Sequence, residues 1–365
     1  MSYKILAINP GSTSTKIAYY EDDIKIFSES IDHDHKELEK FAKITDQFEL
    51  RKKLVLQVVN HHNIEINDLS AVVARGGLIV PLKAGGYLVT EEMKNRIING
   101  KVIPHASNLG ALIADAISKP LGIPAYIYDA VSSDEMDDFA KITGLPEIKK
   151  ESLCHVLNSK AMARKVAEDL GKSYKSCNFI VAHLGGGISI SAHKQGRICD
   201  LIADDCGTFS PERAGSIPLV QMVDLCYSGK YTNKEMQKKI RGNGGLKALL
   251  DTSDAREVEQ MIKDGDKNAE MIYYAMAYQI AKGIGNLSVV FKGNLDGIIL
   301  TGGVAYSKML TDWIKEYISF LAPVHILSGE NELESLAFGA LRILNGEEVA
   351  ITYGEEEVIS DKDER

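Results

Sequence analysis

The stretch Asn9-Pro10-Gly11-Ser12-Thr13-Ser14-Thr15-Lys16 gathers hydroxyl donors, a glycine and a cation between two apolar runs. Backbone amides in a tight turn can converge on an anion as a nest, and Gly11 lets the chain approach a ligand without a side chain in the way. Ser12 and Ser14 add hydroxyls and Lys16 a positive charge, so a polyphosphate would find its contacts in few residues. An ordinary Ser/Gly hairpin is the alternative. It is not a Walker A loop, because the glycine before the lysine is missing and the turn runs into a strand. Later the pattern returns as Asn178-Phe179-Ile180-Val181-Ala182-His183-Leu184-Gly185-Gly186-Gly187-Ile188. Two such hairpins suggest a duplicated architecture with a nucleotide held between its halves.

Other residues suited to chemistry stand where elements end. Arg75-Gly76-Gly77 follows a short apolar strand, Leu69 to Ala74, and strand-end loops are where open α/β sheets bind ligands. Ser107 is the expected N-cap of an apolar helix from Leu109 to Ile117, which puts His105 near the helix N-terminus, where partial positive charge favours the neutral imidazole. Asp129 closes the strand Pro124 to Tyr128, and His155 precedes a helix from about Asn158 to Leu170. Arg213 lies in a polar loop from Asp204 to Gly215, and that loop is a commoner explanation for Asp204 and Asp205 than a metal site. The run Gly242-Asn243-Gly244-Gly245 reads as a flexible turn.

The elements that must position these residues repeat. Lys4 to Ile8, the strand after the first turn and Ile24 to Ile31 make three strands, followed by a helical region from Leu38 to Asn60 with Leu50, Leu54 and Val58 on its apolar side. Three strands recur at Phe179 to His183, Ile188 to His193 and Arg197 to Ala203. A long helix from about Lys267, the buried strand Gly297 to Gly303, a helix from Ser307 and a strand from Val324 then follow. This order predicts an α/β protein of two similar domains, each with a mixed sheet, and an interdomain cleft as active site. The expected division is 1–155 and 156–336, with a C-terminal helix and tail, about 337–365, packing back on the first domain. Glu355, Glu356, Glu357, Asp361, Asp363 and Glu364 predict a solvated tail.

Composition narrows the class. At roughly 150 residues per domain the 365 residues favour two domains. With 45% hydrophobic and 25% charged residues the chain reads as soluble and globular, and its net charge of -9 argues against nucleic-acid binding. The cysteines, Cys154, Cys177, Cys199, Cys206 and Cys226, are odd in number and without C-x-x-C spacing, so reduced thiols in a cytoplasmic protein are expected. No apolar run is long enough to span a membrane, and no signal-peptide pattern opens the chain.

Taken in order, Asn9 to Lys16, Arg75-Gly76-Gly77, Pro104-His105-Ala106-Ser107-Asn108, Tyr128-Asp129, His155, His183 to Gly187, Glu212-Arg213-Ala214-Gly215, Thr301-Gly302-Gly303 and Asn331-Glu332 resemble the acetate and sugar kinase, Hsp70 and actin superfamily. Within it they resemble the short-chain carboxylate kinases of the acetate kinase family, the butyrate kinases above all. The resemblance spans nearly the whole chain. It implies two duplicated ribonuclease-H-like (actin-like ATPase) domains, and Mg²⁺-dependent phosphorylation of butyrate or a branched acid by ATP, reversible from acyl phosphate and ADP. Asn9 matches the asparagine that helps hold Mg²⁺ and phosphate, Lys16 an ATP contact, and Glu332 a second Mg²⁺-linked carboxylate. His183, Gly185, Gly186 and Gly187 match the second phosphate hairpin, Asp254 and Arg256 nucleoside contacts, and Gly302 and Gly303 the adenosine turn. Arg75 and Arg213 match the arginines that grip the carboxylate and the phosphoryl group, Asp129 the catalytic carboxylate, and His155 the histidine that steadies the transition state. His105 would add to catalysis or position its loop.

One departure bears on selectivity. Acetate kinases usually carry valine where this chain has Gly77, and removing that side chain is expected to enlarge the acyl pocket and favour a four-carbon acid, in a graded way. The resemblance also implies a homodimer or higher homo-oligomer. A nucleotide-binding sensor or chaperone-like ATPase of the same superfamily, or an acetate or propionate kinase, remain the other readings.

Overall fold

The computed structural model describes residues 2–79 and 82–354, so the acidic tail lies outside the described residues. The chain divides into two compact units, Met1–Asp134 with Asn331 onward, and Glu135–Glu330.

In chain order the first unit contains β1 (Lys4–Pro10), β2 (Ser14–Glu21), β3 (Ile24–Asp32), α1 (His35–Leu38), α2 (Phe48–His61), β4 (Ala71–Arg75), β5 (Gly86–Leu88), α3 (Glu91–Ile98), α4 (Leu109–Ser118) and β6 (Ala125–Tyr128). The second contains β7 (Asn178–Leu184), β8 (Ile188–Lys194), β9 (Arg197–Ile202), β10 (Gly297–Gly302), β11 (Val324–Ser328) and helices α5 (Val156–Asp169), α6 (Leu219–Tyr227), α7 (Asn233–Ile240), α8 (Gly245–Leu250), α9 (Ala255–Lys263), α10 (Lys267–Ser288) and α11 (Lys308–Ile318). The returning chain adds α12 (Glu332–Leu344) and β12 (Ile351–Thr352) to the first unit.

The first sheet runs β12-β5-β6-β4-β1-β2-β3. β1 pairs antiparallel with β2 and parallel with β4, which is parallel to β6. Alternate residues of these strands face opposite sides of the sheet. Leu6, Ile8, Ile17, Tyr19, Val72 and Ala74 join α2 and α4 in one buried cluster. On the opposite side α12 lies across β1 and β4, where the Tyr20 and Phe338 rings meet edge to face at 6.0 Å. Because both sides are covered, β1 and β4 read as continuous apolar runs. Asn9 and Arg75 stand at the ends of the rows that face α12.

The second sheet, β11-β10-β7-β8-β9, repeats the pattern: β7 is antiparallel to β8 and parallel to β10. Ile180, Ala182, Leu184, Ile298 and Leu300 pack on α10 and α11, while Phe179, Val181 and Ile299 pack on α5. His183 and Thr301 continue the α5-facing rows to the strand ends.

The structure departs from the sequence-based expectations in several places. Residues 135–155 go with the second unit: the Asp137 amide donates to Cys199 O, Lys160 pairs with Glu135 at 2.7 Å, and Arg197 with Asp137 at 2.5 Å. The helical region from Leu38 is broken, and the long helix starts at Phe48. Its buried row is Arg51, Val55 and Val59, with Leu50, Leu54 and Val58 only half-buried beside it. Ser107 is not the cap of α4; it lies inside a 3₁₀ turn, Ala106–Asn108, whose cap is the His105 side chain.

Candidate functional site

In the first unit, four strand or helix ends bring polar groups together. β1 delivers Asn9, β4 delivers Arg75, the loop after β6 delivers Asp129, and α12 starts at Glu332. Arg75 Nη1 lies 2.9 Å from Glu332 Oε1, and Asn9 Nδ2 donates to Glu332 Oε2. Asn9 Oδ1 is buried and has no partner among the described residues. Both carboxylate oxygens of Glu332 are therefore occupied by Arg75 and Asn9. Asp129 is 1% exposed and has φ 41°, a left-handed conformation that non-glycine residues seldom adopt outside functional or turn positions. Gly85 clamps it from both sides, donating its amide to Asp129 Oδ1 at 2.8 Å and accepting the Asp129 amide at 3.0 Å.

His105 Nδ1 accepts the Ser107 amide at 3.2 Å and lies 2.6 Å from Ser107 Oγ. Burial and then the Arg75 charge lower its pKa, so the imidazole is neutral at pH 7. Gly77 does not face open space. A Cβ there would lie 1.9 Å from Asn108 Oδ1, the oxygen that accepts the Leu78 amide. The expected enlargement of an acyl pocket by the missing side chain is thus not found in that direction; the glycine lets two loops touch.

In the second unit the polar ends of the α5-facing rows form a chain. His183 stacks on His155 with ring centroids 3.8 Å apart and planes 9° from parallel. His155 Nδ1 meets Ser189 Oγ at 2.9 Å. Asn158 Nδ2 donates to His183 Nδ1 at 2.9 Å and to Thr301 Oγ1 at 3.1 Å. An Nδ1 that accepts places the remaining proton on Nε2 of His183, which lies 3.6 Å from Glu330 Oε1. The turn itself closes with Gly185 N on Gly187 O at 3.1 Å, and Gly186 O accepts from Ser210 Oγ at 2.6 Å. A Cβ on Gly302, which has φ 91°, would lie 2.4 Å from the Leu184 carbonyl oxygen, whereas a Cβ on Gly303 would meet nothing within 4 Å among the described residues. The close packing belongs to Gly302 and the open side to Gly303.

Arg213 Nη2 lies 3.3 Å from Asp204 Oδ2, and Arg241 pairs with Asp204 at 3.2 Å and Asp205 at 3.6 Å. These carboxylates hold arginines, and among the described residues no cluster of His, Cys, Asp or Glu could bind a metal on its own. The loop Gly242-Asn243-Gly244-Gly245 is tied: Gly242 and Gly244 amides both donate to Glu212 O, at 2.8 and 3.2 Å, next to Arg213. Asp254 caps α9 through the Arg256 amide and holds the exposed Arg256 side chain at 2.5 Å. Its carboxylate thus serves its own helix. Lys16 and Ser12 are exposed on the first turn.

Three positions escaped the sequence reading. Arg51 is wholly buried under the first turn, Asn158 joins His183 to Thr301, and Ser189 carries His155. Asn158 had a signal, three residues beyond His155 on the same helix face. Arg51 had one too, as the charge in an otherwise apolar row.

Residues 154–322 match the model of the acetokinase family. Butyrate kinase 2 of Clostridium acetobutylicum is 47% identical over 355 residues, which is 97% of this chain and all of that protein. The chain belongs to the acetokinase family. Among solved structures, an acetate kinase from Porphyromonas gingivalis superimposes with TM-score 0.78 at 18% identity over 94% of this chain and 100% of that one. A propionate kinase from Francisella tularensis gives 0.72 at 18% over 92% and 98%. These acetokinase-family neighbours share the actin-like ATPase fold, which the two sheets of this chain carry in duplicate.

Proposed function

We propose that this chain transfers phosphate from ATP to a short-chain carboxylate, butyrate or a branched acid of similar length, and returns it to ADP when acyl phosphate is supplied. It is an enzyme, a carboxylate kinase. The observation that carries this reading is the 47% identity to a butyrate kinase across 97% of the chain.

Phosphoryl transfer spreads charge over the equatorial oxygens of a loose, in-line transition state, so the protein's work is positioning and neutralisation. In the first unit the β1–β2 turn with Ser12, Ser14 and Lys16 takes donor phosphate, and Arg75 grips the acid with its planar fork. Glu332 holds that fork now, so substrate binding exchanges one carboxylate for another. The acceptor is ionised near neutral pH and needs no strong base. Asp129 accordingly orients the reacting groups or a metal-bound water. In the second unit His183 Nε2–H, the glycine turn and Arg213 are donors to phosphate oxygens, His155 is held at its stacking distance as a transition-state donor, and Gly303 leaves room for the nucleoside, with Asp254 and Arg256 as its further contacts.

Mg²⁺ fits the first unit. The unpartnered Asn9 Oδ1 and the Glu332 carboxylate are hard oxygen donors, and Mg²⁺ commonly takes only one or two protein ligands beside phosphates and water. When bound it offsets charge on the phosphate oxygens.

The chain also fits a homo-oligomer. None of the residues of α6 is buried, and Leu219, Val220, Val223 and Tyr227 are 79, 72, 55 and 88% exposed. Such an apolar helix calls for a second copy. No helix among the described residues is long and apolar enough to cross a membrane, and a cytoplasmic location is part of the proposal.

The test is hydroxamate formation from ATP, Mg²⁺, hydroxylamine and a panel of acetate, propionate, butyrate and isobutyrate. The four-carbon acids are expected to lead and EDTA to abolish product. ATP hydrolysis without acid-dependent product would replace the kinase with a nucleotide-driven sensor.

A further inference from the structure

We infer that Arg51 is a positioning residue that shapes the β1–β2 turn to receive nucleotide phosphate, an inference that rests on the kinase reading above. Arg51 sits on α2 with no exposed surface, and its guanidinium reaches the underside of the turn. Nη1 donates to Gly11 O at 2.8 Å, Ser14 O at 3.3 Å and Thr15 Oγ1 at 3.1 Å, and Nη2 to Ser12 O at 3.3 Å. Gln47 Oε1 takes Nε at 3.2 Å and Nη2 at 3.0 Å. The remaining carbonyl of the turn, Thr13 O, accepts the His33 amide at 2.9 Å.

Every carbonyl from Gly11 to Ser14 is thus drawn to protein donors. The amides of Ser12 and Thr13 have no protein acceptor among the described residues. Carbonyls turned inward, three of them to one cation, and amides left over are what an anion nest requires. No carboxylate pairs with Arg51 among the described residues, and a buried cation without a counter-charge is costly, whereas leucine or methionine would fill the same row without that penalty. The site keeps the charge under a turn that has to attract an anion. Thr15 completes the arrangement, its Oγ1 accepting from Arg51 and lying 2.8 Å from His33 Nε2.

The experiment measures MgATP binding by calorimetry, without any acid, for wild type and Arg51→Ala, and KM for ATP and butyrate in parallel. Arg51→Ala is expected to weaken MgATP by about tenfold or more, the scale of losing a charge-assisted bond set, with the butyrate KM nearly unchanged. Millimolar guanidinium chloride should restore binding, and equal concentrations of urea or sodium chloride should not. A cooperatively folded Arg51→Ala with wild-type MgATP affinity, or rescue by urea as well, overturns the inference. Should the alanine variant not fold, Arg51→Lys keeps the charge with fewer donors, and wild-type MgATP affinity in it equally overturns the inference. Wild-type protein that binds MgATP but phosphorylates no acid would remove the kinase reading and leave the Arg51 comparison standing; wild type that binds no nucleotide removes both.

Discussion

Asp129 shows how much one residue can be asked to bear. Its backbone is held at φ 41° and its carboxyl is fixed by the Gly85 amide. Asparagine keeps the size, tolerates the left-handed region and still offers an oxygen to Gly85, so Asp129→Asn should fold and melt as wild type. It removes the negative charge alone. Turnover is expected to fall by about a hundredfold or more, in the range seen when one preorganised electrostatic group is lost, with a smaller change in KM. Steady-state kinetics over a Mg²⁺ series check this, and normal turnover with normal Mg²⁺ dependence would exclude both roles given to Asp129. Asn158→Ala is a second residue-scale test. It frees His183 Nδ1 and leaves Thr301 Oγ1 only its bond to Gly329 O, so the imidazole proton no longer has a fixed nitrogen. The MgATP KM should rise several-fold while the butyrate KM stays near wild type, whereas an unchanged MgATP KM would deny Asn158 this role.

At the scale of elements, the strands and the turns between them were legible because apolar runs broken by Gly, Ser and Asn leave few other readings. The candidate residues at strand ends could be placed there from the sequence for the same reason, since a strand end fixes position while a loop keeps it open. What was not legible came from packing across elements. Val55 and Val59 are buried in the apolar cluster, and Arg51 continues their row because the turn above it needs donors, which the apolar count along α2 does not register. Gly77 is the clearest case: a missing side chain was read as room, but room depends on what faces it, and Asn108 faces it. Gly77→Val should therefore disturb the loops at residues 76–78 and 103–108 and not simply narrow a pocket. Displacing Asn108 leaves the Leu78 amide unpaired, and the variant is expected to lose about 2 kcal/mol or more of stability and activity toward every acid. Thermal melts and the acid panel together decide it. A stable Gly77→Val that merely shifts preference toward acetate would restore the pocket reading.

At the scale of the whole molecule, each unit has buried a histidine that must stay neutral. In the first, burial and then the Arg51 charge lower the pKa of His33 to about 4. In the second, burial holds His193 well below the ordinary value, between Tyr174 Oη and Ser191 Oγ, each at 2.8 Å. Unfolded, each imidazole takes a proton near pH 6.5; folded, His33 refuses it until about 4. The unfolded state therefore binds more protons across this window, and stability is full above pH 6.5 and falls as pH drops toward 4. Allowing for solvent screening, His33 alone should account for about 1 to 2 kcal/mol. Urea melts at pH 7, 6, 5.5 and 5, above the range where most carboxylates protonate, measure the slope. His33→Gln removes the titrating group while leaving an amide to meet Thr15, so its stability should be lower at pH 7 yet fall less steeply with acid. Parallel slopes for the two proteins would mean that His33 takes its proton in the folded state as easily as in the unfolded one.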